Sequence, residues 1–414
     1  MLDIKLIREN PELVKKGVTA KGYSSETVDE VIKLDVQRRN LIGQSETLRA
    51  QRNQLTKNDI EKGKLIKQQL KNIEPELKTL EIKLAEVLNT IPNLPFDFVP
   101  QGKGEQDNVE VKKWGDIREF SFSPKDHLEL GKNLNILDFE TGAKVVGSNF
   151  YYLYRDGAML ELALVSYAMK LLEKEGFIPV ITPDLAKPRF YLGTGYAPRG
   201  KEAQTYVVSD ETGENKLGLI ATAEVTLAGK HADEIIPVDK LPLKYVGYSH
   251  CFRQEGGSYG KYSRGLYRVH QFTKVEMFIY CTSEESNNLH EYILSLEEKI
   301  YQNLGIPYRI LEMCSGDLGA MAARKFDIEA WMPGRNDYGE VTSTSNCTDY
   351  QARNLNIKYK TKEGNTAYVH MLNGTALATS RLPIAIMENY QNEDGSISIP
   401  DELQTFMGKE KILP

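Results

Sequence analysis

The stretch FRQEGGSYGKYSRGLYRVHQFTKVEMF, residues 252–278, sets cationic, aromatic and acidic side chains around a glycine-rich segment. In an extended strand, residues of equal parity share a face. Arg253 and Glu255 therefore point the same way where the first predicted strand ends. On the return strand the predicted polar face carries Arg268, His270, Phe272, Lys274 and Glu276. The other face of that strand is mostly apolar, so we expect one side of the hairpin to be core and the other to do chemistry.

Such a polar face suits ATP bound together with an amine-bearing substrate. Arginine holds phosphate oxygens through a bidentate fork, an aromatic face can stack on a purine, and a carboxylate accepts from an amine. The phosphate-loop pattern is not present, because Lys261 of GGSYGKYS is followed by Tyr262. The fragment GTGYAPRG has the wrong glycine spacing for a dinucleotide loop. A surface hairpin with cross-strand ion pairs is the alternative interpretation.

Three further segments bring hydroxyl, carboxylate or cationic groups together. TAEVTLAG begins with Thr222 and Glu224, whose two-residue spacing can put both on one face. YGEVTSTSN sets Glu340 ahead of a run of hydroxyls, a hard-oxygen set that suits Mg²⁺. NGTALATSRLPIAIMENYQ places Arg381 where a helix should start, which is anion-binding geometry. An ordinary salt bridge explains Arg381 equally well, and the first two segments are, taken singly, more typical of turns or caps.

The first hundred residues have the spacing of a coiled coil. Leu34, Leu41, Leu48 and Leu55 are seven residues apart, and a second stripe runs from Ile66 to Ile91 in steps of four and three. The segment TKNDIEKGK between them predicts a turn, and the prolines of IPNLPFDFVP predict the end of the second helix. A helix of about 30 residues is about 45 Å long. We therefore expect an antiparallel helical hairpin that projects as an arm and reaches a large ligand, with a dimerisation coiled coil as the alternative.

From about residue 115 the sequence becomes a mixture of helices and short strands. The strand candidates are FIPVITP, AQTYVV, KLPLKYVGYSHCF, LYRVHQFTKVEMFIY and KFDIEAWM. They cluster as hairpins with few βαβ crossovers, which favours an α+β domain built on a mostly antiparallel sheet. We place the domain boundary between residues 1–105 and residues 106–414.

Composition sets further limits. Of the 414 residues, 27% are charged and 41% hydrophobic, which is typical of a globular protein. A run of eighteen apolar residues is not present, so we expect no membrane contact. The four cysteines have no CxxC spacing, which argues against zinc and for a reducing, cytoplasmic location. Residues 1–114 carry 20 basic and 18 acidic side chains on a chain of net charge -6, which is compatible with a local polyanion contact.

Taken in order, these segments resemble the bacterial-type seryl-tRNA synthetases, a family of class II aminoacyl-tRNA synthetases, over essentially the whole chain. GFIPVITPDL is similar to motif 1 of that class, with Pro183 at the dimer-forming position. The opening stretch resembles motif 2, and NGTALATSRLPIAIMENYQ resembles motif 3. The helical hairpin resembles the tRNA-binding arm of the family. The resemblance implies an α+β fold, with a class II antiparallel sheet of six to seven strands flanked by helices and joined to a coiled-coil arm.

The resemblance also implies the reaction and its residues. It implies a ligase that activates L-serine with ATP to seryl-adenylate and transfers it to tRNA(Ser), with tRNA(Sec) as a further candidate. Arg253 is implied to grip the α-phosphate and Arg381 the γ-phosphate, and both are taken as catalytic. The residues implied for ATP are Arg253, Gln254, Glu255, Val269, Phe272, Glu340, Val341, Thr342, Ser343 and Arg381. Those implied for serine are Thr222, Ala223, Glu224, Arg253, Glu276 and Thr375.

The same resemblance implies that Glu340 and Ser343 hold Mg²⁺ with ATP, and that the protein is a cytoplasmic homodimer. Thr375 stands where many relatives have serine, but it retains the hydroxyl. Lys261 and Arg264 have no assigned role; they are expected to meet the pyrophosphate or the tRNA acceptor end.

Two other functions have to be weighed. A seryl-adenylate-forming paralogue could pass its product to a carrier protein or a biosynthetic acceptor, but such ligases generally lack a tRNA-binding part. A non-enzymatic tRNA sensor would not need Arg253, Glu255, Glu276 and Arg381 together. The sequence therefore favours the tRNA ligase.

Overall fold

The computed structural model describes residues 1–56, 58–196, 205–255 and 264–414. The chain divides into two compact units, Met1–Pro95 and Phe96–Pro414. The expected boundary between residues 105 and 106 separates the tRNA-binding arm from the catalytic domain by function. It stays a prediction.

The first unit is helical. Its helices are α1 (Ile4–Glu9), α2 (Pro11–Ala20), α3 (Glu26–Asn53) and α4 (Ile60–Leu88). Ion pairs join Glu30 to Lys83 and Arg49 to Glu74, so α3 and α4 run antiparallel. Leu34 is buried, and Leu41, Leu48 and Leu55 are half-buried between the helices. The predicted helical hairpin is confirmed.

A buried carboxylate fixes the base of this hairpin within the first unit. Asp35 on α3 is almost fully buried and accepts from Arg8 at 3.2 Å and from Arg38 at 2.9 Å. The two guanidinium groups compensate the burial of the carboxylate, and they tie α1 to the start of the long hairpin.

The second unit is the predicted α+β domain. Its helices are α5 (His127–Asn133), α6 (Phe139–Val145), α7 (Arg155–Lys174), α8 (Pro188–Gly193), α9 (Glu224–Gly229), α10 (Ser286–Asn303), α11 (Tyr350–Leu355), α12 (Leu382–Asn389) and α13 (Asp401–Met407). Its strands are β1 (Val109–Trp114), β2 (Leu137–Asp138), β3 (Tyr152–Leu153), β4 (Ile178–Ile181), β5 (Leu185–Ala186), β6 (Val207–Ser209), β7 (Lys216–Leu219), β8 (Ile235–Pro237), β9 (Leu243–Phe252), β10 (Gln271–Cys281), β11 (Tyr308–Glu312), β12 (Arg324–Met332), β13 (Asp337–Asn346), β14 (Lys358–Lys360), β15 (Thr366–Tyr368), β16 (His370–Ala378), β17 (Ile397–Ser398) and β18 (Lys411–Ile412).

The main sheet has the strand order β1-β11-β12-β13-β16-β10-β9-β4 within the described residues. Neighbouring strands are antiparallel except β4 and β9, which are parallel. The sheet thus has eight described strands, against the six to seven that the family resemblance implied, with β1 and β4 at its edges. Among the described residues, no helix is long and apolar enough to cross a membrane.

Strand β10 shows how the sheet separates core from site. Val275, Met277 and Ile279 face a large core that also takes in α7 and α10. On the opposite face, Phe278 and Tyr280 pack into a second core with α9 and α11. The first half of that opposite face is not covered by these helices, and it forms the floor of a cleft.

Candidate active site

A cleft of about 480 Å³ lies over β10, β13 and β16, a volume in the usual range for small-molecule sites. The ends of β9 and β12 and the segment 317–322 complete its walls. The expected site residues that line it are Glu224, Arg253, Glu255, Val269, Phe272, Glu276, Glu340, Val341, Thr342, Ser343, Thr375 and Arg381. Residues far apart in the chain are therefore brought to one polar cavity.

An arginine and an aromatic ring meet where β9 and β10 pair. The guanidinium of Arg253 lies over the Phe272 ring, 5.3 Å from its centroid, and the Arg253 amide donates to the carbonyl of His270 at 3.0 Å. Glu255 follows with a left-handed φ of 46°, and its carboxylate accepts from Arg268 at 3.0 Å. The left-handed backbone turns the Glu255 side chain toward the cleft at some cost in strain.

A second arginine lies beyond the end of β16. Arg381 Nη1 is 2.8 Å from Glu340 Oε1, and its guanidinium lies over the Tyr267 ring at 5.0 Å. Burial alone would raise the pKa of Glu340, but the neighbouring Arg381 and Lys325 hold that pKa below its usual value. The Glu340 carboxylate is therefore ionised throughout the neutral range.

Side chains with oxygen atoms gather where β12 pairs with β13. Asp327 is the cross-strand partner of Ser343, and a bulge follows between Ile328 and Glu329. Lys325 lies 3.2 Å from Asp327, whose pKa is raised by burial in spite of that cation. One Asp327 oxygen, Oδ1, has no hydrogen-bond partner among the described residues. These groups form an oxygen-rich patch beside Glu340.

At the middle of the floor, three side chains form a closed triangle. Lys274 Nζ lies 2.7 Å from Glu276 Oε2 and 3.4 Å from Thr375 Oγ1, and the Thr375 hydroxyl donates to the same Glu276 oxygen at 3.1 Å. Glu276 and Thr375 are register partners in the β10–β16 pair, next to a bulge after Val275. The triangle offers an acceptor, a hydroxyl and a cation within the size of a small amino acid.

Glu224 forms the far wall of the cleft. It is 2% exposed at the start of α9, and it accepts from Tyr196, Gln351 and Asn373 at 2.8, 2.7 and 3.2 Å. Burial and the neighbouring Glu276 carboxylate raise the pKa of Glu224, while hydrogen bonds from Gln351 and Tyr196 oppose that rise. A buried, hydrogen-bonded carboxylate of this kind can hold an ammonium group.

Some of the expected site residues do not present a polar side-chain group to the cleft. Thr222 and Ala223 are buried behind the cleft wall. The Thr222 hydroxyl accepts from the amide of Glu224 at 3.2 Å, where α9 begins. The Gln254 side chain donates to the carbonyl of Thr205 at 3.2 Å instead of facing the cleft. Thr342 lines the cleft, but its hydroxyl donates to the buried Glu297 at 2.9 Å.

The expected polar face of the return strand is only partly in the cleft. Phe272, Lys274 and Glu276 line it, whereas Arg268 pairs with Glu255 and His270 stacks on Phe150 with ring centroids 5.3 Å apart. Lys261 lies outside the described residues, and Arg264 is exposed.

Some cleft residues had no individual role in the sequence analysis. They are Tyr196, Tyr267, Lys274, Lys325 and Asn373. Asp327, the ion-pair partner of Lys325, also had no assigned role. Strand parity had placed Lys274 on the same face as Phe272 and Glu276, but without a role of its own. Tyr196 carries no local signal, because its partner Glu224 comes from another segment of the chain.

Comparison with known proteins supports one family. Residues 1–95 match the model of the seryl-tRNA synthetase N-terminal domain, and residues 206–390 match the tRNA synthetase class II core domain (G, H, P, S and T). The chain is 53% identical to the serine–tRNA ligase of Dictyoglomus turgidum, with 100% of both chains covered. It is 50% identical to that of Rubrobacter xylanophilus, covering 100% of this chain and 99% of the relative.

Solved structures agree. A seryl-tRNA synthetase from Pyrococcus horikoshii complexed with ATP matches with a TM-score of 0.93 at 40% identity, with 100% of both chains covered. A cytoplasmic serine–tRNA ligase from Naegleria fowleri in complex with AMP matches with a TM-score of 0.90 at 36% identity, covering 100% of this chain and 99% of that one. The carrier-dependent paralogue is not supported, since the likeness includes the N-terminal domain. The chain belongs to the seryl-tRNA synthetase family of class II aminoacyl-tRNA ligases.

Proposed function

We propose that the cleft of the second unit makes seryl-adenylate from L-serine and ATP, and that the seryl group then passes to tRNA(Ser). The observation that carries this proposal is the order of groups along β16. Asn373 reaches Glu224, Thr375 meets Glu276, and Arg381 follows beyond the strand end. An amino-acid subsite and a phosphate subsite thus adjoin along one strand.

For ATP, we assign the α-phosphate to Arg253 and the γ-phosphate to Arg381. The adenine is proposed to stack on Phe272 beside Val269, with Glu255 accepting from its amino group. Phe272, Val269 and Glu255 all line the cleft. On binding the base, Glu255 would exchange its present partner Arg268 for the adenine amino group. Gln254, Val341 and Thr342 are proposed to flank ATP, with Gln254 acting through its main chain because its side chain bonds elsewhere.

For serine, we assign the ammonium group to Glu224 and the hydroxyl to Glu276 and Thr375. Thr222 and Ala223 then act by fixing Glu224 at the start of α9, since their side chains are buried behind the wall. Arg253 is proposed to contact the serine carboxylate as well as the α-phosphate. A site that hydrogen-bonds a substrate hydroxyl leaves buried groups unpaired when alanine enters, which penalises alanine strongly.

The oxygen-rich patch fits Mg²⁺ bound with ATP. Protein-bound Mg²⁺ in such sites uses one or two carboxylates together with substrate phosphates and water. Glu340 and Ser343 line the cleft, and Asp327 has an oxygen without a partner among the described residues. In the described part of the chain, no group of three or more His, Cys, Asp or Glu side chains could hold a metal by itself. When bound, Mg²⁺ would neutralise charge on the triphosphate, held by Glu340 and Ser343.

The chemistry requires no protein nucleophile. The serine carboxylate attacks the α-phosphorus, pyrophosphate leaves, and the terminal adenosine of tRNA later displaces AMP from the seryl-adenylate. Because an anion approaches a polyanion, the protein acts by positioning the reactants and neutralising charge. Arg253 and Arg381 supply that charge from the two sides of the phosphate subsite.

The partners follow from the two units. We propose that α3 and α4 of the first unit contact tRNA(Ser), with tRNA(Sec) as a further candidate. We propose a homodimer through the β4 edge and α7, where Ile181, Ile178, Leu162 and Met159 are 79%, 50%, 57% and 45% exposed. Comparing the sedimentation of the wild type with that of Ile181→Arg tests this interface.

The cytoplasmic location stays a prediction.

Pyrophosphate exchange and tRNA charging together test the proposed function. We expect exchange that depends on L-serine and Mg²⁺, and transfer of labelled serine to a fraction of total tRNA. Exchange that does not respond to serine would contradict the assignment of the cleft.

A further inference from the structure

The segment GTGYAPRG, which is no dinucleotide loop, brings a tyrosine into the cleft. Helix α8 ends at Gly193, and Gly195 takes a left-handed φ of 94°. The Tyr196 amide then donates back to the carbonyl of Tyr191 at 2.8 Å, a standard helix-ending arrangement. A Cβ at position 195 would collide with the thioether of Met321, so the glycine permits both the turn and the close approach.

The Tyr196 hydroxyl is aimed at one carboxylate. It donates to Glu224 Oε2 at 2.8 Å, while Gln351 and Asn373 both donate to Oε1. Gln351 also donates to the carbonyl of Thr194 at 3.1 Å, so the turn that carries Tyr196 is tied to the same network. Among the described residues, Oε2 therefore accepts its hydrogen bond from Tyr196, and Oε1 accepts from the two amides.

The charges around this carboxylate make the donor important. Glu276 on β10 raises the pKa of Glu224, and Lys274 on the same strand lowers it. Burial raises the pKa of the Tyr196 hydroxyl well above its usual value, and the nearby Arg253 opposes that rise. The phenol therefore keeps its proton and stays a donor across the neutral range.

We propose that Tyr196 is a positioning residue for serine recognition, whose hydroxyl keeps Glu224 ionised and aimed at the ammonium group of serine. The inference rests on the proposed serine subsite and adds a residue to it. The proposed role belongs to the hydroxyl. The ring has a separate packing role, because it contacts the cluster of Ile220 and Val225.

Tyr196→Phe tests the role because it keeps the ring and removes the donor. We expect the KM for serine in pyrophosphate exchange to rise by about ten- to a hundredfold, the size of one hydrogen bond to a charged group, with the KM for ATP unchanged. Losing the donor raises the pKa of Glu224, so the acid limb of kcat/KM for serine moves to higher pH. A purely structural role would not move that limb.

Tyr308→Phe is the matched control. It removes a tyrosine–glutamate hydrogen bond, 2.6 Å to Glu298, from a buried residue that does not line the cleft. We expect both KM values and the pH profile to stay at wild type. Equal rises in both KM values for Tyr196→Phe, or no change in either, would overturn the inference.

Glu224→Gln separates this inference from the proposed function. A large rise in the KM for serine with that variant, beside an unchanged Tyr196→Phe, would overturn the role of Tyr196 alone. A wild-type KM for serine in Glu224→Gln would overturn the serine subsite and this inference with it.

Discussion

Arg381 Nη1 bonds Glu340 twice, to the carboxylate at 2.8 Å and to the main-chain oxygen at 3.2 Å. In the proposed complex, the triphosphate would replace the carboxylate as the partner of Arg381, and Glu340 would be free to hold Mg²⁺. In the ligand-free structure, the ion pair holds both side chains beside the proposed phosphate subsite.

Removing this arginine should affect the chemical step. We expect Arg381→Ala to lower kcat in serine-dependent pyrophosphate exchange by about 10²–10³-fold, as for loss of a donor that stabilises transition-state charge. Arg381→Lys retains the charge without the planar fork, so an intermediate rate is expected. A wild-type rate for Arg381→Ala would exclude it from the phosphate subsite.

Threonine should be a weak substrate for activation. It differs from serine by one methyl group, and steric exclusion alone separates such pairs by about 10–200-fold. We expect threonine-dependent pyrophosphate exchange that is detectable but slower than the serine reaction by a factor in that range. Threonine activated as fast as serine would show that Glu276 and Thr375 do not form the amino-acid subsite.

Shortening the helical hairpin should separate adenylation from tRNA charging. Ser45 and Glu46 of α3 lie beside Leu77 and Lys78 of α4, so a short glycine linker can replace residues 46–77. This deletion leaves the Asp35 contacts with Arg8 and Arg38 intact. We expect serine-dependent pyrophosphate exchange near the wild-type rate and loss of tRNA charging. Loss of both activities would mean that the hairpin is structural.

Stability should fall in mild acid because of one buried imidazole. His290 on α10 is fully buried against Phe326, and burial lowers its pKa from 6.5 to about 4. The unfolded chain binds the proton more tightly, so this contribution to stability is lost as pH falls from about 6.5 to about 4.

Urea unfolding of the full chain can measure that loss. Between about pH 7 and pH 5 we expect His290 to account for about 2 kcal/mol of lost stability. His290→Leu removes the titrating group, so the variant should lose about 2 kcal/mol less stability than the wild type over this pH range. Identical declines in the two proteins would assign the acid sensitivity to other groups.

The sequence pattern predicted the arm and part of the cleft floor. The leucine heptads placed α3 and α4, and strand parity placed Phe272, Lys274 and Glu276 on one face. Parity failed before Gln271, where the predicted strand is a 3-10 turn at Gly265–Tyr267. There Gly265 takes a φ of 64°, and the Leu266 amide donates to His127 instead of to a neighbouring strand.

The rest of the site depends on contacts that no local pattern contains. The spacing of Thr222 and Glu224 allowed a shared face or a cap, and the structure has them at a helix start, where the Thr222 hydroxyl accepts from the Glu224 amide. Asp327 meets Ser343 only through the register of two strands, and Tyr196 meets Glu224 only through the packing of α8 and α9. Such relationships are set by tertiary structure, which overrides local spacing.

A crystal structure with a non-hydrolysable seryl-adenylate analogue tests the central claim most directly. We predict the adenine on Phe272, the serine ammonium within hydrogen-bond distance of Glu224, and the serine hydroxyl between Glu276 and Thr375. An analogue bound in this cleft with its serine end away from Glu276 and Thr375, or bound outside the cleft, would contradict the account.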